Sequence, residues 1–153
     1  YTNSRRRIVF CSGSFDLPHA GHLLFFEKAR AEGDMLVVGV GGDAIIRHNK
    51  GPQRPILDER ERARTIDGFK PVDYFLIDRI SDPSNNLKFL DEVFLRLQPN
   101  VYAVNEGTFN MSYREQLCRD YGARMHVVAM PDEFTGLSAT AIIERVKKTY
   151  GTQ

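Results

Sequence analysis

The sequence predicts an α/β domain, a doubly wound, five-stranded parallel sheet with helices on both faces. Two observations carry this. Short apolar runs alternate with amphipathic segments along the whole chain, the pattern of βα units. One run, Met35 to Val40, is apolar at nearly every position, as a strand covered by helices on both faces must be.

Taken in order, the first strand is read over Arg7–Cys11 and the first helix over Gly21–Glu32, closed by Gly33-Asp34. The second strand, Met35–Val40, runs into Gly39-Val40-Gly41-Gly42-Asp43, a tight turn with Asp43 as N-cap of a short helix through His48. Gly51, Pro52 and Pro55 break the next stretch into a non-helical loop bearing Lys50 and Arg54. Asp58–Ile66 is a charged helix with acids at its positive end and Glu/Arg pairs at helical spacing. Asp73–Ile77 is the third strand. Leu87, Leu90, Val93, Phe94 and Leu97 then form one apolar stripe, ended by Pro99. Val101–Val104 is the fourth strand, Ser112–Tyr121 a helix closed by Gly122, and Met125–Ala129 the fifth strand. His126 alternates within that strand as a structural residue. Ser138 caps a C-terminal helix.

Composition bounds what such a domain does. The 153 residues are read as one domain, 1–153, with 42% hydrophobic and 27% charged residues, a folded globular chain. A net charge of +1 gives no bulk attraction to nucleic acid or to a membrane surface, and no apolar run approaches spanning length. Cys11 and Cys118 form neither a disulfide framework nor a metal spacing, which suits a reducing cytoplasm. The chain opens on Tyr1 rather than Met, as a domain cut from a longer polypeptide would.

The chemistry is concentrated in Ser12-Gly13-Ser14-Phe15-Asp16-Leu17-Pro18-His19-Ala20-Gly21-His22. A strand, a Gly/Ser turn and a helix start surround a small concavity with backbone N–H groups, the usual seat of a phosphate. His19 and His22 are set into it, and Gly21 between them lets a phosphate approach the backbone. As imidazolium ions they would donate charge-assisted hydrogen bonds to an oxyanion. A metal pair on a helix would more naturally lie four residues apart. Lys50 and Arg54 have two readings, solvated cations or ligand-binding residues on a loop held by a rigid sheet. Gly41, Gly42 and Asp43 are read first as a turn and cap, and then as a place where an acceptor substrate lies against the backbone. Asn105-Glu106-Gly107 is a polar exit at a strand's carboxyl end, where ligands of doubly wound sheets bind. Ser138-Ala139-Thr140 starts the last helix with two hydroxyls, a second anion site.

These motifs resemble the HxGH nucleotidylyltransferase superfamily, in the branch reading Gly-x-Phe-Asp-x-x-His-x-Gly-His. The resemblance spans nearly the whole chain, from His19 and His22 through Lys50 and Arg62 to Ser138 and Thr140. It implies a Rossmann-like sheet ordered 3-2-1-4-5 and nucleotidyl transfer to a small phosphate or phosphonate monoester with release of pyrophosphate. In it His19 and His22 clamp the α- and β-phosphates, Lys50 neutralises the α-phosphate and acceptor, and Arg62 with Ser138 and Thr140 holds the leaving pyrophosphate. Gly13, Ser14 and Phe15 line the nucleotide, and Asp16 orients the loop or a metal-bound water. Asn105, Gly107 and Ala139 complete the nucleotide site, and Gly41, Gly42, Asp43 and Arg54 that of the acceptor. Mg²⁺ is carried by the nucleotide phosphates with no protein metal site, and relatives are commonly homodimers. Phe15-Asp16-Leu17 is similar to CTP-using members such as glycerol-phosphate cytidylyltransferases. The Lys50-to-Pro55 loop and the Ser138-x-Thr140-x-Ile142-Ile143 tail are similar to heptose-phosphate members, which often use ATP. CTP is the reading favoured here, and ATP with a sugar phosphate such as heptose 1-phosphate the alternative. A non-catalytic nucleotide-sensing module is the rival from another class. Two departures stand out: Thr108 replaces an acid that relatives carry after Gly107, and Glu133 occupies the place of an arginine.

Overall fold

The computed structural model describes residues 5–151. Five strands form one all-parallel sheet: β1 (Ile8–Gly13), β2 (Met35–Val40), β3 (Tyr74–Ile77), β4 (Val101–Asn105) and β5 (Arg124–Val128). Their order is β3-β2-β1-β4-β5, as the resemblance implies. β1 pairs with β2 along its whole length, from Ile8 opposite Met35 to Gly13 opposite Val40. On its other side Val9 and Phe10 pair with Val101 and Tyr102 of β4, so the winding reverses between β1 and β4.

Among the described residues five α-helices connect the strands and a sixth follows β5: α1 (Ala20–Arg30), α2 (Asp43–Lys50), α3 (Glu59–Asp67), α4 (Lys88–Leu97), α5 (Met111–Tyr121) and α6 (Ala139–Tyr150). Strand side chains alternate between faces, and two cores result. Val9, Cys11, Leu36 and Val38 pack under α1 and α3 with Phe25, Phe26, Ala29 and Ile66. Phe10, Val37, Tyr102 and Val104 pack under α4 and α5 with Leu90, Phe94 and Leu117. Burial pushes the Cys118 thiol up to about 11 and the Cys11 thiol higher still, so both are inert apolar side chains. Among the described residues no helix is long and apolar enough to cross a membrane.

Several boundaries move from the sequence reading. β1 continues two residues beyond Cys11, which brings Ser12 and Gly13 to the carboxyl rim. α2 continues past His48 to Lys50, and Gly51, at φ +102°, ends it. Asp43 is the first residue of that helix rather than its cap; Gly42 is the cap. The cause is space, since a Cβ on Gly42 would lie 2.0 Å from the Asp78 carbonyl oxygen. α6 differs from the other helices in having no buried residue.

Candidate active site

At the carboxyl rim the β1–α1 loop is fixed from below by Asp16, which is 1% exposed. Its carboxylate accepts the backbone N–H groups of Ile56 (2.8 Å) and Leu57 (3.1 Å) and the Arg54 Nε–H (3.1 Å). Burial alone would raise its pKa, but these bonds outweigh it and hold the carboxyl below its ordinary value. Asp16 therefore ties the loop of 54–57 to the histidine loop, and its lone pairs are engaged within the protein.

The two histidines form a stacked pair at the start of α1, ring centroids 3.7 Å apart and planes 21° from parallel. The Gly21 N–H donates to His19 Nδ1 (3.1 Å), and the His19 N–H donates to His22 Nδ1 (3.3 Å). Both Nδ1 atoms are acceptors, so the proton of each ring sits on Nε2 and the rings are neutral. Electrostatics agree with this tautomer. Burial lowers the pKa of His19, and burial followed by the proximity of His19 and Lys50 lowers that of His22 to about 3. The expected imidazolium pair is thus a pair of neutral Nε2–H donors in the free protein. His19 Nε2 is buried and has no hydrogen-bond partner, a donor left for a ligand. Gly21 has its reason here as well. A Cβ at that position would meet the His19 ring at 2.9 Å, so the residue makes room for the ring itself.

Lys50, at the end of α2 rather than in the loop, donates from Nζ to Ser14 Oγ (2.8 Å). Burial, and then the charge of Arg54, lowers its pKa. From the far side, Ser138 caps α6 by accepting the Ala141 N–H (3.0 Å), and Thr140 Oγ1 accepts from Arg54 Nη1 (3.3 Å). Together with Asn105 and Gly107 these groups line one open cavity of about 530 Å³, which brings together Ser14, Asp16, His19, Gly21, His22, Lys50, Arg54, Ser138, Ala139 and Thr140. Arg54 matches the Asp16 charge, and the ammonium of Lys50 stands beside the histidine pair as a local anchor for an anion, with Glu106 also on the cavity wall.

Other expected site residues lie elsewhere. Gly13 and Gly41 line a second cavity of about 470 Å³, which meets the first at Ser14, Lys50, Asn105 and Gly107. Phe15 is buried and packs edge-on against His22, 5.3 Å between centroids, so it supports the pair and does not line the cavity. Gly42 and Asp43 line neither cavity. Arg62 is the largest correction. Its side chain is fully buried, and Nε donates to the Leu57 carbonyl (2.9 Å), Nη1 to the Ser14 carbonyl (2.5 Å) and Nη2 to Asp43 Oδ1 (2.7 Å). Each nitrogen makes one of these bonds, the side chain lines neither cavity and so does not reach a triphosphate there, and Asp43 serves as its counter-ion. Arg54 is the arginine that faces the cavity. Glu133 is exposed and lines neither cavity.

One residue that the sequence reading passed over stands in the second cavity. Arg114, 5% exposed, donates from Nε to the Phe109 carbonyl (2.9 Å) and from Nη1 to the Tyr102 hydroxyl. The available signal was a cation in the first turns of a helix, against the dipole, in a first turn with no acid.

Comparison with known proteins places this cleft in a family. A family model described as cytidylyltransferase-like matches residues 10–145, nearly the whole chain. The chain belongs to the cytidylyltransferase-like family. The bifunctional protein HldE of Pelobacter propionicus is 38% identical over 146 residues, covering 95% of this chain and 28% of that protein. HldE of Helicobacter pylori is 32% identical over 148 residues, with 97% and 29% covered. The chain therefore spans little more than a quarter of these relatives' length. Among solved structures, a lipopolysaccharide core biosynthesis protein from Thermoplasma volcanium superposes with a TM-score of 0.69 at 23% identity, covering 84% of this chain and all of that one. A pantoate-beta-alanine ligase from Francisella tularensis superposes at 0.57 and 17% identity, covering 97% and 72%. These two likenesses bear on the fold, which is the same doubly wound α/β sheet.

Proposed function

We propose that this member of the cytidylyltransferase-like family is an adenylyltransferase that uses ATP and a sugar phosphate, releasing pyrophosphate. The observation that carries nucleotidyl transfer is the convergence of His19, His22, Lys50, Arg54, Ser138 and Thr140 on one cavity at the switch point of the sheet. The HldE relatives weigh toward ATP and a heptose-like phosphate over the CTP that Phe15-Asp16-Leu17 favours.

In this reading an oxygen of the acceptor phosphate attacks the α-phosphorus in line. The new O–P bond forms as the bond to the bridging oxygen of the β-phosphate breaks, and pyrophosphate leaves with the electron pair. Positioning and charge stabilisation supply the catalysis, with no covalent enzyme intermediate. His19 and His22 offer Nε2–H groups to oxygens on which charge builds. Lys50 stands where the two cavities meet and neutralises the α-phosphate and acceptor. Arg54, Ser138 and Thr140 hold the leaving pyrophosphate, Arg54 in the role expected of Arg62.

Magnesium belongs to this reading as a companion of the nucleotide. Among the described residues no group of three His, Cys, Asp or Glu side chains forms a metal site, and Asp16 is engaged with Arg54, Ile56 and Leu57. In this reading the ion is held by phosphate oxygens, where it would neutralise their charge. The homodimer implied by the resemblance is part of the reading too. Edge strand β3 exposes Tyr74, Phe75 and Leu76 for such a contact, which light scattering in solution would test.

Pyrophosphate release decides the matter, assayed with ATP and CTP separately, Mg²⁺ and a panel of sugar phosphates, polyol phosphates and phosphonates. Turnover with ATP and a sugar phosphate is expected. Turnover with CTP alone would reverse the nucleotide assignment. Nucleotide binding without pyrophosphate from any acceptor would leave a sensing module.

A further inference from the structure

The second cavity contains a charge that the protein does not balance. The Arg114 guanidinium is stacked 4.9 Å from the Phe109 ring centroid and 5.9 Å from that of Tyr102, and it lines this cavity only. Its two hydrogen bonds go to neutral oxygens, and among the described residues no carboxylate lies within ion-pair distance of it. An arginine is charged at any physiological pH, and burying that charge without a partner is costly. The cavity's one carboxylate, Asp78, accepts the Ile80 and Ser81 N–H groups on Oδ1 and belongs to the exit of β3. Ser12 continues the polar floor, 3.3 Å from the Tyr102 hydroxyl.

We infer that the second cavity is the acceptor pocket and that the acceptor carries two anionic groups, its reacting phosphate at Lys50 and a second phosphate or carboxylate at Arg114. The inference rests on the nucleotidyl-transfer reading above for which end reacts. The two places belong to different cavities, with Lys50 shared between them. The reacting phosphate must meet the α-phosphorus among His19, His22 and Lys50, and neither histidine lines the cavity of Arg114. At about 470 Å³ the pocket has room for a phosphorylated sugar between the two cations, and Asp78 and Asn86 suit its hydroxyls.

Calorimetric binding of three probes to the wild-type chain tests this: glucose 1-phosphate, glucose 1,6-bisphosphate and glucuronate 1-phosphate. The two probes that carry a second anionic group are expected to bind at least about tenfold more tightly than glucose 1-phosphate, and whichever of them leads identifies the second group as phosphate or carboxylate. In Arg114→Met the advantage is expected to vanish, and in Arg114→Lys to shrink. Equal affinities in the wild type would overturn the inference, as would no saturable binding of any probe or an advantage that persists in Arg114→Met. The wild-type series decides even where Arg114→Met does not fold. Pyrophosphate release with the same probes separates the two claims. A binding advantage without release from ATP or CTP, with these probes or any acceptor of the panel above, sinks the transferase reading and leaves the anion site standing.

Discussion

Arg62 and Arg114 are both buried arginines near the same rim, and they have opposite surroundings. Arg62 donates from all three nitrogens, to Leu57, Ser14 and Asp43, and has a carboxylate as counter-ion. Arg114 has two neutral acceptors, no carboxylate and an open cavity beside it. The first is complete as the protein stands; the second is complete only with something added. Burial of a charge is thus no guide to its purpose until its partners are counted.

The largest expected effect is on the complete side. Arg62→Ala leaves the Asp43 carboxylate and the Ser14 and Leu57 carbonyls without their donor, and is expected to lower stability by about 3–5 kcal/mol. Chemical denaturation would measure it. Arg114→Met removes a charge that the fold does not balance and is expected to cost less than half as much. Equal losses would erase the distinction between the two arginines.

Next comes the unpartnered donor of the histidine pair. His19→Ala is expected to lower kcat by about a hundredfold, the size of one oxyanion-type donor, with a circular dichroism spectrum unchanged. A near-normal rate would remove His19 from the chemistry and leave it as a helix cap.

The tautomer gives a pH signature of intermediate size. His22 has a pKa of about 3 in the fold against an ordinary 6.5, so between those values the unfolded chain binds more protons than the native one. Stability is therefore expected to fall as pH drops from 6.5 toward 3. His22→Gln should flatten that dependence in thermal melts. An unchanged slope would show that the ring is protonated in the native state.

The smallest effect is at the far wall. Ser138→Ala removes the cap of α6 and is expected to cost about 1 kcal/mol, while Thr140→Val should leave melting unchanged. If Thr140 helps hold the leaving group, Thr140→Val raises the KM for the nucleotide about tenfold or less.

The difference between the two arginines also marks where sequence reading ends. The βα alternation and the histidine loop were legible because both are local patterns, apolar runs between amphipathic segments and a turn between strand and helix, whereas the strand order came through the resemblance. Lys50, Ser138 and Thr140 were placed through the resemblance and do reach one cavity. Arg62 was not separable from Arg60 and Arg64, because spacing on α3 does not say which side chain is swallowed by the loop beneath it. Arg54 was assigned to the acceptor, but the buried carboxylate of Asp16, 38 residues away, turns it toward Thr140 instead. Arg114 offered only its place in the first turns of α5, because its neighbours Tyr102 and Phe109 are brought to it by the turn from β4 into α5.

The hydrogen that Gly21 carries in place of a methyl group lies against the His19 ring. An alanine there would press on Cε1 and Nδ1 of that imidazole, at 2.9 and 3.0 Å, and tilt it, leaving each donor in the molecule chemically intact and one of them misaimed. A single carbon at this position thus separates where a proton is held from whether it is held, a distinction that replacing the histidine cannot make.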